Sequence, residues 1–226
     1  DRPLEGGLVC WMATREALEA AAREGCDLVL THESLYYPYN AAVSSESENP
    51  PGWEDWPTNR LRRGLLESHG MTLLRVHGSA DEATIYDDFA SLLGFGSPAV
   101  ADGLARGYDI APCPLQALVE RVKRCMGLER LRVSAPHGMD QVVHRVGLPW
   151  GGLGLFVNVG YQERLIVMGC DALIGGESDD YGMRFAADLG IPFIETGHSV
   201  SENPGLRRLR DLLETRFPEL RVTYYE

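Results

Sequence analysis

The chain has 226 residues, a net charge of -12, and 44% hydrophobic against 24% charged residues. That balance belongs to a globular protein with a core of its own. The acidic excess excludes an extended basic footprint for a nucleic-acid backbone, and no run of about 18 apolar residues offers a membrane span. The five cysteines, Cys10, Cys26, Cys113, Cys125 and Cys170, are odd in number and form no Cys-x-x-Cys. They argue against a disulfide framework and against a thiolate zinc site, so a reducing, cytoplasmic setting is expected. The sequence starts at Asp1 without a signal-like segment and reads as a truncated or processed chain.

The first elements alternate. "GLVCW" at 7–11 predicts a strand, and "TREALEAAAREG" at 14–25 predicts a helix capped by Thr14 and stopped by Gly25. "CDLVLT" at 26–31 predicts a second, buried strand. Strand, helix, strand in this order is a βαβ unit with a parallel sheet. Residues 38–57 lose all period and read as a long excursion loop, pinned by Trp53 and Trp56 or meeting a partner subunit through them. A helix at 59–70, a strand at 71–78 and a helix at 81–95 follow, the last with Asp81 and Glu82 at its positive end.

Residues 96–112 read as a connector, and "PLQALVERVKRCMGL" at 114–128 as an amphipathic helix opened by proline. Strands are expected at 130–136 and 141–151. "GLGLFVNVG" at 152–160 lacks the third glycine and the distant acid of a dinucleotide fingerprint, so it reads as a backbone turn. The last quarter gives strand 169–174, helix 181–190, strand 191–196, helix 203–218 with Pro204 near its start, and strand 220–225.

One phrase occurs twice. "GCDLVLTHES" at 25–34 and "GCDALIGGES" at 169–178 share the Gly-Cys-Asp opening and the Glu-Ser ending. Each is followed by a helix, a glycine and a strand, then by a histidine with an acid four residues on: His77 and Asp81, His198 and Glu202. The chain is therefore expected to be an α/β protein of two pseudo-symmetric halves. The boundaries are 1–94 for the first half, 95–129 for a connector and helix, and 130–226 for the second.

His32, Glu33, His77, Asp81, Glu177, His198 and Glu202 all follow apolar strands, and the carboxyl ends of parallel strands form the ligand-binding edge of such sheets. Imidazoles with carboxylates and no thiolate suit Zn, Mn, Fe or Ni. Taken singly, the patterns have plainer readings: Asp81 or Glu202 as a helix cap, His32-Glu33 as a surface pair. His69, His137 and His144 lack the strand-end context and read as structural or exposed. No nucleophile elbow, phosphate-binding loop or His-Glu-x-x-His helix occurs.

"REALEAAAREGCDLVLTHESLYYP", "HGSADEA", "GCDALIGGES" and "ETGHSVSENPGLRRL" together resemble the NIF-three-like dinuclear metal-centre family, also called the GTP cyclohydrolase I type 2 family, over 7–94 and 140–215. The resemblance implies a metal site between the two halves, with two divalent metal ions held by His32, Glu33, Asp81, His198 and Glu202 and with Asp81 bridging. It implies Glu202 and His77 as the groups acting in the reaction, and Glu177 as a group that orients a ligand or touches substrate. It also implies a homo-oligomer, a hexamer built from trimers. This chain departs from the family's Thr-His-His-Pro, reading Thr31-His32-Glu33-Ser34, and from its His-Thr-Asn-x-Asp, where Gly78 and Ser79 stand in the middle. The family's Asp-Asn-x-Gly-Leu-like N-terminal stretch and the inserted domain of some members are not in the sequence. The expectation is a metal-dependent hydrolase acting on a small molecule such as a nucleotide, GTP ring opening first. Phosphoester or nucleotide hydrolysis, and a non-catalytic metal-binding scaffold, stand as alternatives. No nucleic-acid or membrane partner is expected.

Overall fold

A computed structural model describes residues 3–39 and 49–226. The chain forms two compact units, one of residues 1–84 with 206–226, the other of residues 85–205. This differs from the expected boundaries: the stretch 95–129 belongs to the second unit, and the C-terminal strand returns to the first.

The first unit is built on a parallel sheet in the order β10-β1-β2-β3. Strand β1 (Gly6–Cys10) is buried along its whole length. Helix α1 (Arg15–Arg23) starts where the Thr14 hydroxyl accepts the Ala17 amide at 3.2 Å, and it buries Ala17, Leu18, Ala20 and Ala21. Gly25, at φ +67°, turns the chain out of the helix. Strand β2 (Leu28–Thr31) follows, then helix α2 (Pro57–Ser68) and strand β3 (Thr72–Arg75). Leu18 and Leu66 join β1 and β2 residues in one apolar cluster. Of the expected excursion loop, residues 40–48 lie outside the described residues. Its C-terminal side is pinned by Trp53, whose carbonyl accepts from Asn59 Nδ2 at 2.7 Å and whose ring meets Tyr36 edge-on.

The helix expected at 81–95 starts earlier and is not uniform. A short turn α3 (Gly78–Ala80) runs into a π-helical segment (Asp81–Ile85) and then α4 (Tyr86–Leu92). Asp81 is thus inside the helical run, not its cap. Widened π turns recur at functional sites.

The second unit carries a mixed sheet in the order β4-β5-β7-β8-β9-β6. The expected connector at 96–112 is largely a hairpin of β4 (Val100–Asp102) and β5 (Ala105–Pro114). Its glycines obscured the strand period, and Gly107 is needed there because a Cβ would lie 2.9 Å from Cys170 Sγ. Helix α5 (Leu115–Met126) stops short of the expected residue 128, because Gly127 in the left-handed region turns the chain out of it. Strands β6 (Arg132–Ser134) and β7 (Val142–Gly147) follow. Of the turn expected at 152–160 only the start is turn; Phe156–Asn158 form a 3-10 turn, and helix α6 (Val159–Val167) begins inside the expected span. Strand β8 (Ala172–Gly175), helix α7 (Asp180–Asp188) and strand β9 (Phe193–Glu195) complete a parallel β7-β8-β9 core. Helix α8 (His198–Arg216) contains Pro204 and leads to β10 (Arg221–Tyr225) beside β1.

The repeated Gly-Cys-Asp has the same job in both units. Gly169 has φ +84°, matching the left-handed Gly25. Cys26 and Cys170 are buried. The Asp27 carboxylate accepts the Glu5 amide, and the Asp171 carboxylate accepts the His144 and Arg145 amides. Each aspartate therefore clamps the strand that precedes it in the fold. Among the described residues no helix is long and apolar enough to cross a membrane.

Candidate metal centre

In the first unit the chain leaves β2 on a fixed path. The His32 amide donates to the Cys10 carbonyl at 3.2 Å and the Glu33 amide to the Trp11 carbonyl at 2.8 Å. The Thr31 hydroxyl donates to the Glu33 carbonyl at 3.1 Å. The His32 side chain is fully buried, and its Nδ1 lies 3.0 Å from the Val76 carbonyl oxygen. A carbonyl only accepts, so Nδ1 carries a proton, and in the neutral ring the lone pair is on Nε2. That lone pair stands 3.8 Å from Asp81 Oδ1.

The His77 ring stacks on His32 with centroids 4.5 Å apart and planes 18° from parallel. Its Nδ1 is 3.9 Å from Asp81 Oδ2, and its Nε2 is 3.7 Å from Glu33 Oε1. The Glu33 side chain is only 5% exposed, whereas that of His77 is 41% exposed. One donor atom each of His32, His77 and Asp81 lies within 4.8 Å of the other two. These gaps are too long for hydrogen bonds. They are close to the roughly 3–3.5 Å that separates two donors sharing one ion at about 2.1 Å.

The second unit brings together Glu177, His198 and Glu202. The sequence reading put His198 and Glu202 before a helix opened by Pro204. In the structure they lie on the first turns of α8, four residues apart and so on one face. His198 Nδ1 is 2.9 Å from Glu177 Oε2, and a carboxylate oriented this way holds the imidazole as a donor at Nδ1. His198 Nε2 then faces Glu202 Oε1 at 3.4 Å. Glu202 is buried, while the Glu177 side chain is 44% exposed.

Two further residues serve this cluster, and the sequence reading passed over both. Gly151 has φ +52°, and a Cβ there would lie 2.0 Å from Glu202 Oε1 and 3.2 Å from His198 Nε2. Ser201 accepts the Gly151 amide at 2.9 Å and donates to the His198 carbonyl at 2.7 Å. The Gly151 carbonyl in turn accepts the Glu177 amide at 2.8 Å. The available signal is the glycine-rich "PWGGLG" at 149–154, which overlaps the end of the strand expected at 141–151 and the start of the turn expected at 152–160. Of the remaining histidines, His144 pairs with Asp171 at 3.0 Å and His69 ends α2.

Burial pushes the Cys10 and Cys170 thiols up to about 12, and all five cysteines are free. The donor set is therefore imidazole and carboxylate, which fits a divalent ion of the Zn, Mn, Fe or Ni group.

Fold and clusters together define an α/β protein with histidine–carboxylate groups of metal-binding type at its strand ends. The family model for Duf34/NIF3 (NGG1p interacting factor 3) matches residues 2–226, and the chain belongs to that family. Its relatives include a protein of Allochromatium vinosum named GTP cyclohydrolase 1 type 2 homolog, 26% identical over 96% of this chain and 81% of its own. A Pseudomonas aeruginosa protein of the same name is 28% identical over 91% of this chain and 77% of its own. Among solved structures, protein ybgI, titled as of unknown function, matches with a TM-score of 0.80 at 23% identity, covering 100% of this chain and 85% of its own.

Proposed function

We propose that this protein holds two divalent cations with these clusters and is a metal-dependent hydrolase of a small molecule, a purine nucleotide first. The observation that carries the proposal is the placement of two histidine rings. His32 and His198 each have Nδ1 committed to an acceptor, Val76 O or Glu177, so each turns the Nε2 lone pair toward a carboxylate. Imidazoles prepared in this way are typical of metal ligands.

The first cluster offers His32, His77, Glu33 and Asp81; the second offers His198 and Glu202. Asp81 turns one oxygen to each of the two imidazoles, so it would join both of them in holding an ion. A bound pair of divalent ions would supply Lewis acidity and lower the pKa of a water, so that hydroxide is available near neutral pH. Glu202, a buried carboxylate, is assigned to take up the proton of the attacking water. His77, the more exposed imidazole, is the donor nearest an incoming substrate. Glu177 keeps His198 in its donating tautomer. The relatives' name makes GTP the first substrate to try, but fold and family do not fix a reaction.

The test is a hydrolysis screen over purine nucleotides with wild type, metal-stripped wild type and His198→Ala. Turnover in the loaded wild type, lost in the other two, is expected. Equal turnover in all three, or none in a fully loaded wild type, contradicts the enzyme reading. The homo-oligomer is proposed on the same family footing; sedimentation showing a monomer would remove it.

A further inference from the structure

The first cluster has a neighbour that the proposed function does not use. Tyr39 is exposed, yet its phenol oxygen lies 3.1 Å from His77 Nε2. The Arg75 guanidinium donates to the same oxygen through Nη2 at 2.7 Å, and its Nε donates to the His32 carbonyl at 3.2 Å. Arg75 also sits over the Tyr39 ring, 5.1 Å from its centroid. The phenol is thus tied to a cation that is itself anchored on the backbone of His32.

The segment delivering Tyr39 is held by two buried polar side chains of α2. Asn59, fully buried, accepts the Tyr37 amide at 2.9 Å and donates to the Tyr37 carbonyl at 2.6 Å. Arg62, 5% exposed, donates to the Leu35 carbonyl at 2.8 Å and to the Tyr37 hydroxyl at 3.3 Å. Burying an amide and a guanidinium is costly unless both are hydrogen-bonded. Here they fix the backbone two residues before Tyr39.

We infer that Tyr39 is the positioning residue of His77: His77 Nε2–H donates to the phenol oxygen, which leaves the Nδ1 lone pair directed at the Asp81 side of the cluster. A phenol oxygen has two lone pairs, room for both the Arg75 and the His77 donors. The arrangement gives His77 the property already seen in His32 and His198. Nε2 has Tyr39 at hydrogen-bond distance and Glu33 Oε1 farther off at 3.7 Å, and Nδ1 faces a cluster carboxylate, Asp81 Oδ2 at 3.9 Å. Arg75 holds the phenol in place. The inference rests on the proposed cation site for its consequence, though not for its geometry.

The test is a double-mutant cycle read by zinc affinity, measured by competition with a chromophoric chelator. Tyr39→Phe keeps the ring and removes the acceptor. Loss of an outer partner typically costs about 10- to 100-fold in metal affinity, so a drop of about tenfold is expected, with the thermal midpoint of the metal-free protein unchanged. In the His77→Ala background the same change should cost less than about twofold, because Tyr39 acts only through that ring. An unchanged affinity in Tyr39→Phe, or an equal loss in the His77→Ala background, overturns the inference. If wild type binds no zinc, the proposed function fails, and nitrogen-15 spectra of the metal-free protein decide on Tyr39. A slowly exchanging His77 Nε2–H in wild type, lost in Tyr39→Phe, supports it; a His77 spectrum indifferent to the substitution overturns it.

Discussion

Thr31-His32-Glu33-Ser34 and Gly175-Gly176-Glu177-Ser178 occupy the same place in the two sheets, one after β2 and the other after β8. Their backbones are tied alike. The His32 amide donates to Cys10 and the Gly176 amide to Pro149; the Val76 amide donates to Thr31 and the Thr196 amide to Gly175. What differs is the room beside them. His32 has space for a buried ring, whereas a Cβ on Gly176 would lie 2.4 Å from the Gly151 carbonyl oxygen and 2.6 Å from Ser201 Oγ. In the second unit the glycine loop occupies the volume that a side chain takes in the first. The histidine comes instead from α8, one residue later than His77, because Gly197 at φ +107° intervenes after Thr196. Two copies of one scaffold thus present an imidazole and a carboxylate by different routes.

The sharpest way to break this comparison is to write the first copy into the second. Gly176→His should destabilise the protein by at least about 3 kcal/mol, or prevent folding, since a Cβ alone already meets backbone. Urea denaturation reads it, and a folded variant of near wild-type stability would refute the steric account. Gly151→Ala acts on function more selectively. Its added methyl should displace the Glu202 carboxylate and weaken metal binding at the second cluster by more than about tenfold, measured as affinity. Glu177→Gln keeps the shape and removes the charge behind His198. A loss of about tenfold or less in metal affinity is expected, smaller than that of Gly151→Ala.

The smallest effect concerns the repeated cysteine. Burial pushes the Cys170 thiol up to about 12, and Cys26 is raised from the same cause. Near pH 8 both should therefore be alkylated far more slowly in the native protein than in urea, as reactivity follows the thiolate. Rapid native labelling of either, followed by mass spectrometry, would show that the repeat is not buried in the same way in both units.

Much of this architecture was legible in the sequence because its signals are local. Thr14 before an alanine-rich run and Gly25 after it fix α1, and the doubled Gly-Cys-Asp announces two related strand entries. The rest was hidden where distant packing decides. The β4–β5 hairpin is written with glycines that hide its period, and Gly107 is small because of Cys170 across the sheet. Pro204 suggested a helix start, but α8 begins at His198 and carries the proline inside it. That shift matters to the site, since it puts His198 and Glu202 on one helical face. Gly151 and Tyr39 could not be found from spacing, because each reaches its partner across long sequence separations: Glu202 for one, His77 for the other.

The most direct measurement is the metal content of the purified protein, taken by elemental analysis after exhaustive dialysis against a fixed free zinc concentration. Two ions per wild-type chain are expected, and fewer when His32→Ala or His198→Ala disables either cluster. A wild-type chain with no bound zinc, or two ions retained in both variants, would contradict it.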